Sequence, residues 1–124
     1  MIYIILNAGP ILAATLAGLV AGLLLHREGQ SLADRALAFL AQAWFAAILA
    51  GALILAPPRA EAWVMALGSA VVIWIGFVVP VLIVSLRYHR HGWRVVARDG
   101  AYWLLVMLVQ ALVLKSLGLV PPPV

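Results

Sequence analysis

The strongest constraint in this sequence is its first apolar run, residues 2–25, which contains no charged side chain. As a helix rising 1.5 Å per residue, this run would be about 36 Å long, enough to cross a hydrocarbon core of about 30 Å. A secretory signal peptide has a basic stretch before its apolar run, and this run has none before it. We therefore expect it to be retained as a membrane span.

Three further apolar runs follow, and we predict helices at about residues 32–56, 60–86 and 100–118. Hydrophobic residues make up 67% of the 124 residues and charged residues 10%, against about 45–50% and 25% in soluble domains. So few charges could not cover the surface of a small water-soluble domain. The sequence predicts an all-α polytopic membrane protein: one four-helix domain, residues 1–120, and a proline-rich C-terminal tail, residues 121–124.

Capping and stop signals mark several predicted helix ends. Ser31 and Asp34 have capping-box spacing, in which the Ser31 hydroxyl accepts a hydrogen bond from the Asp34 backbone N–H. Asp99 is predicted to cap the start of the last helix, and Gly118 to end it.

Prolines predict kinks inside the first and third helices. A helix starting at Pro10 would leave too few residues for a span, so Pro10 is placed inside the first helix. Pro80 removes the hydrogen bond to the carbonyl of Gly76, four residues back, and the small Gly76 relieves part of the crowding.

Basic residues are divided unevenly between the two sides that four spans would create. One side holds Arg27, Arg35, Arg87, Arg90, Arg94 and Arg98, and the other holds Arg59 and Lys115. Lys and Arg accumulate in cytoplasmic loops. We therefore predict a multi-pass protein of the bacterial inner (cell) membrane with both termini outside the cytoplasm.

The basic connection between the third and fourth helices predicts a topology anchor. Its arginines, Arg87, Arg90, Arg94 and Arg98, suit anionic lipid headgroups at the cytoplasmic face of the bilayer. His89 and His91 are two residues apart without an acidic ligand or third histidine beside them, although His26 could lie on the same side. A solvated basic turn is the favoured interpretation, so no metal or cofactor is predicted. Nucleic-acid binding is not predicted either, because the basic residues lie at the ends of apolar runs.

Uncharged polar residues inside the spans form the candidate intramembrane polar site, which we assign to Asn7, Gln42 and Gln110. Such amides either bond neighbouring helices together or line a path for a substrate or ion. Trp44 and Trp74 lie well inside the second and third helices, where we expect packing, with each indole N–H bonded to a helix partner. Tyr102 is assigned to the inner membrane interface.

Small residues recur at intervals of four in the first two helices. They are Ala14, Gly18 and Gly22 in the first, and Ala43, Ala47 and Gly51 in the second. This spacing lets helix backbones approach closely. The first two helices are therefore predicted to pack by these faces, which could alternatively bind a second copy.

No enzymatic activity is predicted. The chain has no cysteine, and it lacks a nucleophile elbow, a phosphate-binding glycine loop, paired carboxylates and a zinc-protease motif. No charged side chain falls well inside a predicted span, which argues against a proton-coupled pump.

The C-terminal half carries the residues Trp74-Ile75-Gly76-Phe77, Pro80 and, after a polar turn, Asp99-Gly100-Ala101-Tyr102-Trp103. Over residues 71–117 it resembles a family of small bacterial membrane proteins designated domain of unknown function 1761. The resemblance implies a four-helix membrane protein and transfers no catalytic residue.

Two functional hypotheses remain open from the sequence. The first is a structural or accessory membrane protein that packs with itself, as a homo-oligomer, or with a larger membrane complex. The alternative is a small oligomeric transporter or channel for an ion or small molecule.

Overall fold

The structure is a computed structural model that describes residues 2–22, 31–55 and 61–121. Within these residues the chain is almost entirely helical and contains no strand. The helices are α1 (Ile2–Leu6), α2 (Ala8–Gly22), α3 (Leu32–Leu55), α4 (Ala62–Ile73), α5 (Val79–Tyr88) and α6 (Trp93–Leu117), with a π-helical turn at Trp74–Val78. The segments α4, π-helical turn and α5 form one continuous helix, Ala62–Tyr88, which we call the third helix.

Three helices in the described ranges are long and apolar enough to cross a membrane: α3, the third helix and α6. The α2 helix is apolar but has 15 residues. The prediction of an all-α fold is thus confirmed for the described residues, and the three long apolar helices are consistent with a membrane protein. A fourth span over residues 2–25 stays a prediction, and its last residues lie outside the described ranges, as do most of the C-terminal tail and His26.

The first helical run is interrupted at Asn7, between α1 and α2. Pro10 has no backbone N–H to donate to the Leu6 carbonyl, four residues back. The hydrogen bonds on either side persist, with Asn7 N–H to Tyr3 O and Ile11 N–H to Asn7 O both 2.9 Å. The interruption therefore falls in the turn that precedes Pro10.

A capping box opens α3 and confirms that sequence prediction. The Asp34 backbone N–H donates to Ser31 Oγ at 3.1 Å, and the Ser31 N–H donates to Asp34 Oδ2 at 3.2 Å. Both residues are exposed.

The third helix widens into the π-helical turn just before Pro80. The Val79 N–H bonds to Trp74 O, five residues back, instead of four. Since Pro80 cannot donate to the Gly76 carbonyl and would crowd it in a regular helix, a wider turn accommodates the ring.

The start of α6 corrects the sequence prediction. The helix begins at Trp93 after an N-cap at Gly92, so Asp99 lies inside it and does not cap it. The apolar run predicts only the part of the helix that would lie in hydrocarbon. The helix itself can extend beyond that part into water, with charged residues on its first turns. The predicted stop at Gly118 is confirmed: its φ is 81°, and its N–H donates to Leu114 O at 3.0 Å.

The helical runs alternate in direction. Tyr3, at the start of the first run, contacts Gly51 near the end of α3, and Gly22, at the end of α2, contacts Tyr102 near the start of α6. The α2 helix packs most extensively against α6 and next against α3, whereas the third helix packs mainly against α6 and little against α3. An incompletely closed seam is therefore left between α3 and the third helix.

Alanine dominates the interior, which permits short distances between helix axes. The core cluster is made of Ile11, Ala14, Ala46, Ala47, Leu49, Ala50, Ala70, Met107, Ala111 and Leu114. All four runs contribute to it.

Candidate functional site

The three amides of the predicted polar site are all buried, with exposed fractions of 0% for Asn7 and Gln110 and 1% for Gln42. The structure brings Gln42 and Gln110 together and places Asn7 elsewhere. The predicted trio therefore divides into a two-amide cluster at the centre of the bundle and a separate contact at its end.

Asn7 binds the segment that follows α6. Its Nδ2 donates to Val120 O at 2.8 Å and to Tyr3 O at 2.9 Å, and the Val120 N–H donates to Asn7 Oδ1 at 2.6 Å. This side chain bonds the main chain of Val120 in both directions, as a neighbouring strand would. Asn7 thus joins the first helical run to the C-terminal segment and has no part in the central cluster.

Gln42 and Gln110 meet beside Gly18. A Cβ placed on Gly18 would lie 2.8 Å from Gln42 Oε1, 2.9 Å from Gln110 Nε2 and 3.1 Å from Val106 Cγ1. A side chain at this position would displace the two amides, and the small size of glycine lets them approach the α2 backbone.

Hydrogen bonding in this cluster is incomplete. Gln42 Nε2 donates to the Tyr102 hydroxyl at 2.8 Å, which links α3 to α6. Gln42 Oε1 and both polar atoms of Gln110 are buried without a hydrogen-bond partner among the described residues. Each such atom costs about 1–3 kcal/mol. The cluster therefore presents two acceptors and one donor that a small polar molecule could satisfy, and its side chains carry no charge to neutralise an ion.

Tyr102 was assigned to the membrane interface from the sequence, yet its hydroxyl enters this cluster. A sequence signal for this placement exists: Tyr102, Val106 and Gln110 are spaced by four, which puts them on one face of α6. Thr15, also fully buried on α2, donates to Ile11 O at 2.8 Å within its own helix.

The predicted small-residue faces serve more than one neighbour. Gly22 faces the Tyr102 ring, 2.6 Å from the position of a Cβ, so α2 uses its glycines against α6 as well as α3. On α3, Gly51 faces Tyr3, whose hydroxyl oxygen lies 2.8 Å from the position of a Cβ placed on Gly51. Ala14 and Ala47 are buried and Ala43 is half-buried.

The two mid-helix tryptophans differ. Trp74 Nε1 donates to Gly100 O at 2.9 Å, which confirms the expected helix partner and bonds the third helix to α6. Trp44 is 58% exposed on the outside of α3.

The basic connection is mostly helical. All four arginines, Arg87, Arg90, Arg94 and Arg98, are exposed. The Arg87 guanidinium lies 4.7 Å from the centre of the Trp93 ring and donates to His91 O at 3.2 Å. Arg90 has a φ of 65° in the turn. The described ranges contain no group of three His, Asp or Glu residues that could hold a metal ion.

No protein-family model, no curated protein and no solved structure matches this chain. The resemblance of residues 71–117 to domain of unknown function 1761 therefore stays a prediction.

Proposed function

We propose that this chain is a structural or accessory protein that packs laterally, through its third helix, against a second copy or a larger membrane complex. It spans the bacterial inner membrane four times and has both termini outside the cytoplasm. The six-to-two division of basic residues supports this orientation. The Asn7–Val120 contact supports termini on one side.

The observation that carries the proposal is a pair of unfilled glycine positions. On α2 and α3, side chains of neighbouring helices occupy the space beside Gly18, Gly22 and Gly51. On the third helix, no atom other than the helix's own backbone and the adjacent residues lies within 4 Å of a Cβ placed on Gly68 or Gly76, and both glycines are exposed. Glycines on a membrane helix favour close approach of another helix.

The surroundings of these glycines are also open. Only Ala66 and Ala70 are buried in the third helix. Two apolar grooves lie along its seam with α3, one of about 470 Å³ lined by Gly68 and Val72 among others, and one of about 480 Å³ lined by Phe77 and by α3 residues. A partner helix could therefore approach the backbone closely at the glycines and contact the apolar side chains that flank them.

The test replaces each open glycine with a bulky residue. Gly68→Leu and Gly76→Leu should leave the isolated fold intact, since nothing lies within 4 Å, while blocking lateral contact. Energy transfer between labelled copies in lipid vesicles measures self-association. Co-purification from native membranes with one defined partner, quantified for each variant, measures hetero-association.

Ala36→Leu is the matched control, because Ala36 is exposed on α3 and does not line the described grooves. The proposal fails if wild-type protein neither self-associates nor retains a defined partner, or if the glycine variants behave like Ala36→Leu.

A second function, a small oligomeric transporter or channel, is favoured by one observation: the unpartnered atoms of Gln42 and Gln110. Uptake into vesicles containing the protein, tested against ions and small neutral metabolites, measures it. Transport requires Gln110→Leu to abolish flux with the fold retained; a variant that keeps wild-type flux, or a wild type without flux, rejects this function.

A further inference from the structure

Another apolar groove lies between the third helix and α6. The groove has a volume of about 380 Å³, within the range of small-molecule sites. Its walls include Leu82, Ile83, Val96, Ala97, Ala101 and Leu104. It lies close to the His89–Gly92 turn that joins the two helices.

The lining offers no free polar group to an occupant. Trp74 is the one polar side chain among the described residues that line the groove, and its indole N–H is already bonded to Gly100 O at 2.9 Å. The part of any ligand that enters the groove must therefore be hydrocarbon.

Two arginines continue the groove walls toward the turn. Arg87 follows Ile83 by four residues on α5, and Arg94 precedes Ala97 and Ala101 by three and seven residues on α6. Helical spacing therefore places Arg87 and Arg94 on the sides of their helices that border the groove, about one turn beyond the apolar walls.

This end of the groove is strongly basic. Residues 79–104 contain four arginines and one acidic residue, Asp99. Arg87 is held in place by its stacking on Trp93 and its hydrogen bond to the His91 carbonyl. A guanidinium fixed in this way loses less conformational freedom when it binds an anion.

We propose that this groove is a binding site for an anionic phospholipid, with one acyl chain between α5 and α6 and the phosphate at Arg87 and Arg94. Apolar walls that end in guanidinium groups complement a hydrocarbon chain that ends in a phosphate. An apolar partner helix would leave these charges unused. The site is independent of the glycine positions on the third helix and does not rest on the proposed lateral packing.

The test compares two lipids of different headgroup charge. Full-length protein in a neutral detergent is titrated with phosphatidylglycerol or phosphatidylcholine, and bound lipid is counted by native mass spectrometry. We expect tighter binding of phosphatidylglycerol. Arg94→Gln should weaken it about fivefold, the effect of one cation near a membrane surface. Arg35→Gln, which removes one exposed arginine from α3, should leave it unchanged.

A second pair of variants tests the groove itself. Ala97→Leu and Ala101→Leu fill the walls at exposed positions and should reduce phosphatidylglycerol binding, whereas Ala36→Leu should not. Thermal unfolding of every variant in the same detergent verifies the fold. Equal binding of the two lipids, an equal loss in Arg35→Gln, or unchanged binding in both groove variants would each overturn the proposal.

Discussion

Two glycines of α2, Gly18 and Gly22, and the two glycines of the third helix have opposite surroundings. Gly18 and Gly22 receive side chains from α3 and α6, whereas no side chain lies within 4 Å of a Cβ placed on Gly68 or Gly76. In an apolar 18-residue stretch of α6, 33% is buried inside the protein, against 6% in an apolar stretch of the same length in the third helix. The same small residue thus builds the interior on one side of the molecule and remains available to lipid or a partner on the other.

Substituting a glycine on each side should give the largest contrast. In Gly22→Leu the new Cβ would lie 2.6 Å from Tyr102 Cε2, so either the Tyr102 ring must leave its position or α2 and α6 must separate. We expect the free energy of unfolding to fall by about 3 kcal/mol. Gly68→Leu should change it by less than about 0.5 kcal/mol. Denaturant titration in mixed micelles, followed by circular dichroism, measures both, and equal losses would contradict the contrast.

Removing the Asn7 side chain should have the next largest effect. Asn7→Ala deletes three hydrogen bonds and leaves the main-chain N–H and C=O of Val120 without this partner. We expect a loss of about 2 kcal/mol. Thr15→Val, which removes a bond within one helix, is the milder control. A thiol introduced by Leu119→Cys should also react faster in the Asn7→Ala background; an unchanged rate would mean that Asn7 does not hold this segment.

The two central amides should respond differently to the same change. Gln42→Leu breaks the bond to Tyr102 and should cost about 1 kcal/mol. Gln110→Leu removes two unpartnered atoms and should cost less or even stabilise the fold. The same denaturant titration measures the difference, and a larger loss for Gln110→Leu would show that its amide is satisfied in the membrane.

The smallest expected effect concerns the bond that ties the third helix to α6. Trp74→Phe keeps an aromatic side chain, smaller than the indole, but removes the donor to Gly100 O, and we expect a loss of about 0.6 kcal/mol from the hydrogen bond. Trp44→Phe, at a position that is 58% exposed, should be neutral. Thermal unfolding of the two variants in one detergent compares their midpoints. Indistinguishable midpoints would mean that the bond from Trp74 to Gly100 O does not stabilise the packing of the third helix against α6.

Local sequence signals predicted the local features of this fold. The capping box at Ser31 and the stop at Gly118 depend on a few neighbouring residues, and both are present. The apolar pattern predicts the start of α6 too late in the chain, because charged residues end the apolar run but do not end the helix. The helix begins at Trp93 and already includes Arg98 and Asp99.

The candidate site depended on contacts between distant helices, which spacing does not determine. Burial of Gln42 and Gln110 follows from their positions inside apolar runs, but their meeting at Gly18 requires the direction and rotation of three helices. Asn7 has the same chemistry and lies at the level of Val120 instead. Tyr102 and Gln110 are eight residues apart and share one face of α6, and this spacing is a sequence signal that the Tyr102 hydroxyl lies near the amides.

The dependence of α2 on α6 has a consequence for biogenesis. The partners of Gly18, Gly22 and Asn7 include Gln110, Tyr102 and Val120, which all lie at least 80 residues later in the chain. At about 5–20 residues per second, these partners are synthesised on the order of 5–20 s after the first helical run. During that interval the Asn7 amide and the helix surface at Gly18 and Gly22 are without the contacts that they make in the folded protein.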